Sequence, residues 1–213
     1  LTYRNNEIAL GMGYDILRLQ GMKSRLVVDG EEFEGTAYFQ KVTVQAPSVP
    51  WFWGMLHFDD GSYLDWFMPH ITPLSTAKDD KPWRKRDTTR VPLKEAGIFH
   101  DRVRGETHEF DHCKVELTKS SEGLVDGEGH LLPDFRVRMW NDTTRVDLRI
   151  SAYSRARWTF DQPTRGGMVS HLTYNEYPFE VTSISIHDEM GERTESDYEW
   201  MHGNAEHSWG FLH

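Results

Sequence analysis

Two short stretches of the chain concentrate the side chains able to move a proton beside an apolar surface. The first runs from Pro50 to Pro69 and carries Trp51, Trp53 and Trp66 with Met55, His57, Asp59, Asp60 and Asp65. The second runs from Trp200 to Gly210 and carries His202, Glu206, His207 and Trp209. Carboxyl and imidazole groups set among indoles suit general acid and base catalysis, because apolar walls change how readily such groups hold a proton. The aspartates are not equivalent. Asp59 and Asp60 precede Gly61 and belong to a turn, where Asp caps its own backbone. Asp65 sits between Leu64 and Trp66, and a carboxylate buried there needs a partner or a function.

What these groups can do depends on the strands that carry them. Alternation puts Trp51, Trp53, Met55, His57 and Asp59 on one face of the first strand and Phe52, Gly54, Leu56 and Phe58 on the other. A strand apolar on both sides lies between a core and a second layer, or between a core and a ligand. With Asp60-Gly61 as a two-residue turn, His57 faces Leu64 and Leu56 faces Asp65; a three-residue loop instead pairs His57 with Asp65. In that paired register the carboxylate would stabilise the imidazolium and fix its tautomer. In the second stretch, Gly203 resets the strand, His207 and Trp209 share one face, and Glu206 and Ser208 share the other.

Glu206 and His207 are the candidate acid and base there, and metal ligation is the competing use of such residues. Zinc would need further ligands from His108, His112 and Cys113. The His108-x-x-x-His112 spacing brings both imidazoles to one side only in a helix, whereas Phe110 and Val115 to Leu117 read as strand, so no metal site is expected.

Strand signals dominate the rest of the chain. Tyr14 to Gln20, Arg25 to Val28 and Thr36 to Val44 are runs rich in aromatic and β-branched residues, separated by Gly21 and by Asp29-Gly30, and the second and third should form a hairpin. Arg145 to Ala152 alternates polar and apolar without a break and should pair with Phe135 to Trp140 across Asn141-Asp142, which also explains the formal sequon at Asn141. Phe179 to His187 and Glu192 to His202 make another pair across Glu189-Met190-Gly191. A turn or two of helix over Pro92 to Ala96 is the one helical expectation. The fold class is therefore all-β, an antiparallel barrel or a pair of barrel-like sheets with little helix. Pro73, Pro82 and intervening charges place a linker at 76–95, between a first domain at 1–75 and a second at 96–213. Gly35 to Gln40 and Gly203 to Ser208 each open Gly-x-Ala, an echo that duplicated half-barrels would produce.

Composition narrows the partners. The chain has 213 residues, 38% hydrophobic, and a net charge of −10 from 24 basic and 34 acidic side chains. That balance argues against a nucleic-acid surface, and the densest cationic run, Lys78 to Arg90, is interrupted enough to be a solvated loop. The single Cys113 excludes an internal disulfide and suits a reducing, cytoplasmic setting with a buried thiol. No apolar run approaches the ~18 residues of a membrane span, so any membrane contact would be peripheral. Gly-rich phosphate loops, nucleophile elbows and dinucleotide fingerprints are missing, and no cofactor is expected. The chain starts at Leu1, with no signal-peptide core in Leu1 to Leu10, and stops on a strand-like Trp209 to His213, as expected of a piece of a longer protein.

Gly35-x-Ala37-Tyr38-Phe39-Gln40, then Trp51-x-Trp53, then Asp59-Asp60-Gly61-Ser62-x-Leu64, resembles the lipocalin-like hydroxyneurosporene synthase (carotenoid 1,2-hydratase) and AttH-type family. The closing Gly203-x-Ala205-Glu206-His207-x-Trp209-Gly210 is similar to its His and Glu motifs. Tyr38 stands where an indole is usual, and Gln40 and Lys41 where acidic and histidine residues are usual, so the catalytic groups of that first motif are not intact. The resemblance implies calycin-like barrels side by side and a hydrophobic, often isoprenoid ligand. Hydration of an isolated alkene begins with proton donation to carbon, which suits a carboxylic acid in an apolar site. Asp65 and Glu206 are then the donors, Trp51, Trp53 and Trp66 stabilise the cation, and a water held by His57 or His207 quenches it. Met55, Tyr38 and Trp209 complete the expected ligand contacts. The leading expectation is a cofactor-independent hydratase or lyase acting on a hydrophobic unsaturated molecule. Its rival is a non-catalytic lipocalin-like carrier of a hydrophobic ligand.

Overall fold

The computed structural model describes residues 2–9, 12–73 and 90–212. Most of the cationic run at 78–90 and of the expected linker at 76–95 thus lies outside the described residues. The chain divides into two units, Leu1–Pro47 and Ser48–His213.

The first unit is a three-stranded antiparallel sheet of β1 (Thr2–Ala9), β2 (Met12–Val28) and β3 (Glu31–Gln45), in chain order. Val28 pairs with Glu31 across Asp29 and Gly30, whose φ angles of 51° and 88° are those of a type I′ turn. The hairpin expected at Asp29-Gly30 is therefore present. Gly21 does not separate two strands: β2 runs through it as a bulge, with φ 59° and a register shift between Leu19 and Met22.

The second unit is a strongly curled antiparallel sheet. Its strands are β4 (Trp51–Phe58), β5 (Tyr63–Ile71), β6 (Val91–Pro92), β7 (Ala96–Asp101), β8 (Glu106–Phe110), β9 (His112–Lys119), β10 (Pro133–Trp140), β11 (Arg145–Ala152), β12 (Ala156–Arg165), β13 (Met168–Asp188), β14 (Gly191–Thr194) and β15 (Met201–Phe211). They run in the order β8-β7-β5-β4-β15-β13-β11-β10-β9, with β12 and β14 on β13 and β6 on β5. The curl brings the two ends of this order together, so that Asn141 Nδ2 donates to the Glu109 carbonyl at 2.8 Å. The all-β expectation holds, and the described residues contain no α-helix. Pro92 to Ala96 is a correction: Val91–Pro92 bridges to β5, and Ala96 already begins β7.

The domain boundary is also a correction. Tyr63 to Phe67 of β5 pair with His100 to Ala96 of β7, so strands on both sides of 76–95 belong to one sheet. Proline and charge mark an exposed connection whether it joins two domains or two neighbouring strands. Beyond it, Phe135 to Trp140 and Arg145 to Ala152 pair as expected, with Trp140 opposite Arg145 and Asn141 Oδ1 accepting from the Thr143 and Thr144 amides. The strand expected from Glu192 stops sooner, because Glu195–Asp197 forms a short 3-10 turn before β15 begins.

Inside the curl, alternate residues build one core from Phe52, Leu56, Trp66, Phe99, Val137, Leu148, Phe179 and their neighbours. Trp66 is 1% exposed and belongs to this core, not to a ligand-lining wall. It lies flat over its cross-strand partner Gly54, where an added Cβ would come within 2.0 Å of the indole. Gly54→Ala should therefore displace the ring and lower stability by about 1–3 kcal/mol. A urea midpoint equal to that of the parent protein would contradict this packing account.

Candidate functional site

The hairpin register decides the first constellation. Phe58 N donates to Ser62 O at 3.1 Å and Gly61 N donates to Phe58 O at 3.1 Å, so the loop is Asp59-Asp60-Gly61, with Gly61 at φ 84°. This is a three-residue hairpin loop in which glycine takes the left-handed position. Asp60 Oδ1 accepts from the Ser62 amide at 2.8 Å, confirming the turn role expected of that aspartate. His57 then faces Tyr63, Leu56 faces Leu64, and Met55 faces Asp65. Neither register expected from the sequence occurs, because the loop is centred one residue earlier. His57 and Asp65 are diagonal neighbours, whose Cα atoms in such a ladder stand roughly 7–8 Å apart.

Both are buried, His57 at 4% and Asp65 at 2% exposure, on the sheet face turned away from the core. Burial holds the His57 imidazole below its usual range. The two residues thus meet along the diagonal of the ladder and not as the direct cross-strand pair expected of a three-residue loop. His57 also faces His202 of β15.

The second constellation splits between the two faces. Ala205, His207 and Trp209 are buried, with Ala205 in the core, while Glu206 is half-buried on the opposite side with Trp51 and Trp53. His207 stacks on Phe52 with ring centroids 4.3 Å apart, and Trp209 stands edge-on to it at 5.1 Å. Successive strand residues point to opposite faces, so Glu206 and His207 cannot serve one bound molecule as acid and base. Trp209 likewise lies on the other side of the sheet from Trp51.

The geometry gathers its aromatic groups around Glu206. Trp51 Nε1 donates to Glu206 Oε2 at 2.9 Å, and the Tyr174 hydroxyl contacts Glu206 Oε1. The same hydroxyl lies 3.0 Å from Glu176 Oε1. The Trp51 amide donates to Ser208 Oγ at 3.0 Å, which anchors the start of β4 beside β15. The Trp51 and Tyr174 rings are 5.7 Å apart, and Trp158 adds a further ring 6.4 Å from Tyr174. Trp51, Tyr174, Phe160, Leu172 and Leu212 line a shallow cleft of about 290 Å³. Its walls are apolar, and its volume suits a small ligand or one segment of a longer one.

Of the residues expected to contact a ligand, only Trp51 lines this cleft. Trp53, opposite Glu206 in the ladder, is buried on the same face, and Met55 is half-buried beyond it. Tyr38 belongs to the first unit, where its hydroxyl contacts Gln40. Tyr174, Glu176, Phe160 and Leu172 were not singled out by the sequence. Alternation in Thr173-Tyr174-Asn175-Glu176-Tyr177 places Tyr174 and Glu176 on one face, but only the pairing of β13 with β15 brings that face to Glu206.

Sequence reading also passed over His70. It is fully buried, stacks 5.0 Å from Phe52, and its Nδ1 donates to the Met68 carbonyl at 3.1 Å. Nε2 is then an acceptor, and it has no hydrogen-bond partner among the described residues. Burial, opposed by the Met68 hydrogen bond and reinforced by the Arg90 charge, pulls the imidazole down to about 4. Since the unfolded group binds its proton near the ordinary value of 6.5, the neutral ring's contribution is complete above that pH. Falling pH removes it progressively between the two values, a loss of about 3 kcal/mol once the folded group is protonated. The His70 ring resonances should accordingly stay constant in an NMR titration from pH 8 to well below 6. A midpoint in the ordinary histidine range would contradict the assignment.

The remaining polar clusters are structural. His108 and His112 lie on different strands, with His108 held by Thr144 and His112 stacked on Trp140, and Cys113 is fully buried in the core. Burial pushes the Cys113 thiol well above its usual range. Asp126, Glu128 and His130 do place ligand atoms within 4.8 Å of one another. Asp126, however, receives the Arg155 guanidinium at 2.8 Å on one oxygen and the Glu128 and His130 amides at 2.9 Å on the other. Arg155 supplies the positive charge there, and the cluster is a braced loop.

No family model and no curated protein matches the chain. Two solved structures are similar to it in backbone arrangement. One, from Nitrosomonas europaea, is provisionally assigned as an AttH; it is 14% identical over 94% of this chain and 53% of that one, with a TM-score of 0.41. The other is kievitone hydratase from Nectria haematococca, 12% identical over 98% of this chain and 65% of that one, with a TM-score of 0.43. The chain thus spans less than two thirds of the length of either.

Proposed function

We propose that this chain binds a hydrophobic, unsaturated small molecule of isoprenoid type in the Trp51–Tyr174 cleft and acts on it as a cofactor-independent hydratase or lyase. The observation that carries this reading is Glu206, a carboxyl group held by Trp51 Nε1 and the Tyr174 hydroxyl at the aromatic edge of an apolar cleft. Protonated Glu206 delivers its proton to an alkene carbon. The indole and phenol faces stabilise the resulting cation, water adds to it, and the surplus proton of that water returns to Glu206. Dehydration is the same path reversed. The motif resemblance at Trp51-x-Trp53 and Gly203 to Gly210 points to the same chemistry. Asp65, buried on the same side of the sheet, is the second carboxyl to be tested. No helix among the described residues is long and apolar enough to cross a membrane, and the ligand would be taken up from solution or from a membrane surface.

Binding is tested by tryptophan fluorescence with a prenyl alcohol such as farnesol. Trp51→Ala removes a wall of the cleft and should weaken binding by about tenfold, the usual cost of losing an aromatic anchor. Equal affinity in the variant would place the ligand elsewhere. Saturable binding in the parent protein with no chemical change to an unsaturated ligand would favour the carrier, which the apolar lining of the cleft also suits.

A further inference from the structure

We propose that Glu176 and Glu206 share a single proton through the Tyr174 hydroxyl, making Glu176 the positioning residue that keeps Glu206 in its acid form. This rests on the reading of Glu206 as the proton donor. Glu176 of β13 and Glu206 of β15 are direct cross-strand partners, so their side chains leave the same face of the sheet at adjacent positions. Both carboxyl groups contact the same phenol oxygen.

A phenol has one hydrogen and can donate it to only one of them. The second contact is made good when one carboxyl is itself protonated and donates to the phenol oxygen. On this sharing, Tyr174 donates to Glu176 Oε1, and a protonated Glu206 uses its contact with the Tyr174 oxygen to donate in turn, while Trp51 Nε1 donates to the other oxygen of Glu206. The pattern leaves one negative charge on the pair, which avoids placing two carboxylates side by side against aromatic walls. Its orientation also puts the proton on the carboxyl held by Trp51, whose ring forms the cleft wall.

The positions nearest the pair on this face are Trp51 and Trp53 on β4, Asn204 and Ser208 on β15, Ala156 and Trp158 on β12, and Tyr174 itself, and of these Tyr174 is ionisable. Farther along the same face stand the ionisable groups of His57, Asp65, Glu180 and His202. Burial, the largest cause, pushes the Tyr174 phenol well above the usual range, so it remains a donor and does not add a second anion.

The test is a 13C NMR titration of the ligand-free protein with glutamate labelled at the carboxyl carbon, compared with Glu176→Gln, Glu206→Gln and Tyr174→Phe. The parent protein should show the pair titrating in two steps, the upper one carried by Glu206 and displaced upward by more than about one pH unit from an ordinary glutamate. In Glu176→Gln the upper step should collapse to a single ordinary transition, and Tyr174→Phe should bring the two steps closer together. Ordinary titration of Glu206 in the parent protein, or an upper step unchanged in Glu176→Gln, would overturn the proposal. The hydratase reading fails separately, when the coupled titration is present but Glu206→Gln turns over an alkene as fast as the parent protein. Where both hold, Glu176→Gln should lower the basic limb of the pH–rate profile by the same displacement while leaving ligand affinity unchanged.

Discussion

Glu206→Gln should fold normally and lower hydration of a prenyl-type alkene by at least about a hundredfold, the lower range of what a positioned general acid contributes. The amide nearly matches the carboxyl in shape, and its oxygen can still accept from Trp51 Nε1, so the cleft keeps its wall. It cannot deliver a proton to carbon. Binding of farnesol should therefore survive while turnover is lost, a split between KM and kcat that a merely structural glutamate does not produce. Asp65→Asn is the companion experiment. Comparable loss in Asp65→Asn with none in Glu206→Gln would move the acid to the Trp51–Pro69 hairpin.

Removing either of two buried aspartates at the far end of the curled sheet should have the largest effect on stability. Asp101 of β7 and Asp188 at the end of β13 are 1% and 7% exposed, and both are held by Arg104 and Arg193. Arg104 Nη1 donates to Asp188 at 2.8 Å, Arg193 Nη2 donates to it at 2.6 Å, and Arg193 Nη1 contacts Asp101 while its guanidinium covers the Phe99 ring at 5.0 Å. These strands are not ladder neighbours, so the network pins two distant parts of the sheet to each other. Asp101→Asn leaves the half-buried Arg193 guanidinium with incomplete compensation and should cost about 3 kcal/mol, a large part of the stability of an ordinary domain.

Acid should act on the same network. Burial alone would raise both carboxyls, but the Arg104 amide and the Arg193 guanidinium hold Asp101 below its usual range, and the Met190 amide with Arg193 and Arg104 does the same for Asp188. Their contribution is complete above the unfolded value near 3.8 and disappears as pH falls through the lower folded values. Urea midpoints measured across that range should fall in the parent protein and respond less in Asp101→Asn. Midpoints identical at every pH would contradict the account of the network.

Local pattern and turn chemistry made much of the fold legible. Asp29-Gly30 announces its hairpin because both residues accept positive φ, and Arg145 to Ala152 reveals its buried face because Val146, Leu148, Ile150 and Ala152 alternate with polar neighbours. The Trp51 hairpin was legible as a hairpin but not in register. Asp59-Asp60-Gly61-Ser62 supports a loop centred on any of several positions, and the choice rests on the Phe58 to Ser62 hydrogen bond, which no local preference dictates. The unit boundary escaped notice because the pairing of β5 with β7 spans a stretch that reads as a linker.

The site was half legible for a related reason. Glu206 and Trp51 stand out by type and company, but their meeting requires β15 to lie beside β4, a contact between residues 155 apart in sequence. Tyr174 and Glu176 are ordinary members of a long amphipathic strand until β13 takes its place on the other side of β15. Trp66 misled in the opposite direction. An indole beside an acidic residue looks like a ligand wall, yet Gly54 across the ladder leaves the space that draws it into the core.

The most direct test of the central claim is turnover in deuterated water, followed by mass spectrometry and NMR of the recovered ligand. If Glu206 protonates an alkene carbon, the parent protein should return an alcohol carrying one non-exchangeable deuterium on the carbon next to the new hydroxyl-bearing one, and Glu206→Gln should return the alkene unlabelled. Recovery of bound, unlabelled alkene from the parent protein would contradict the claim and leave the chain a carrier.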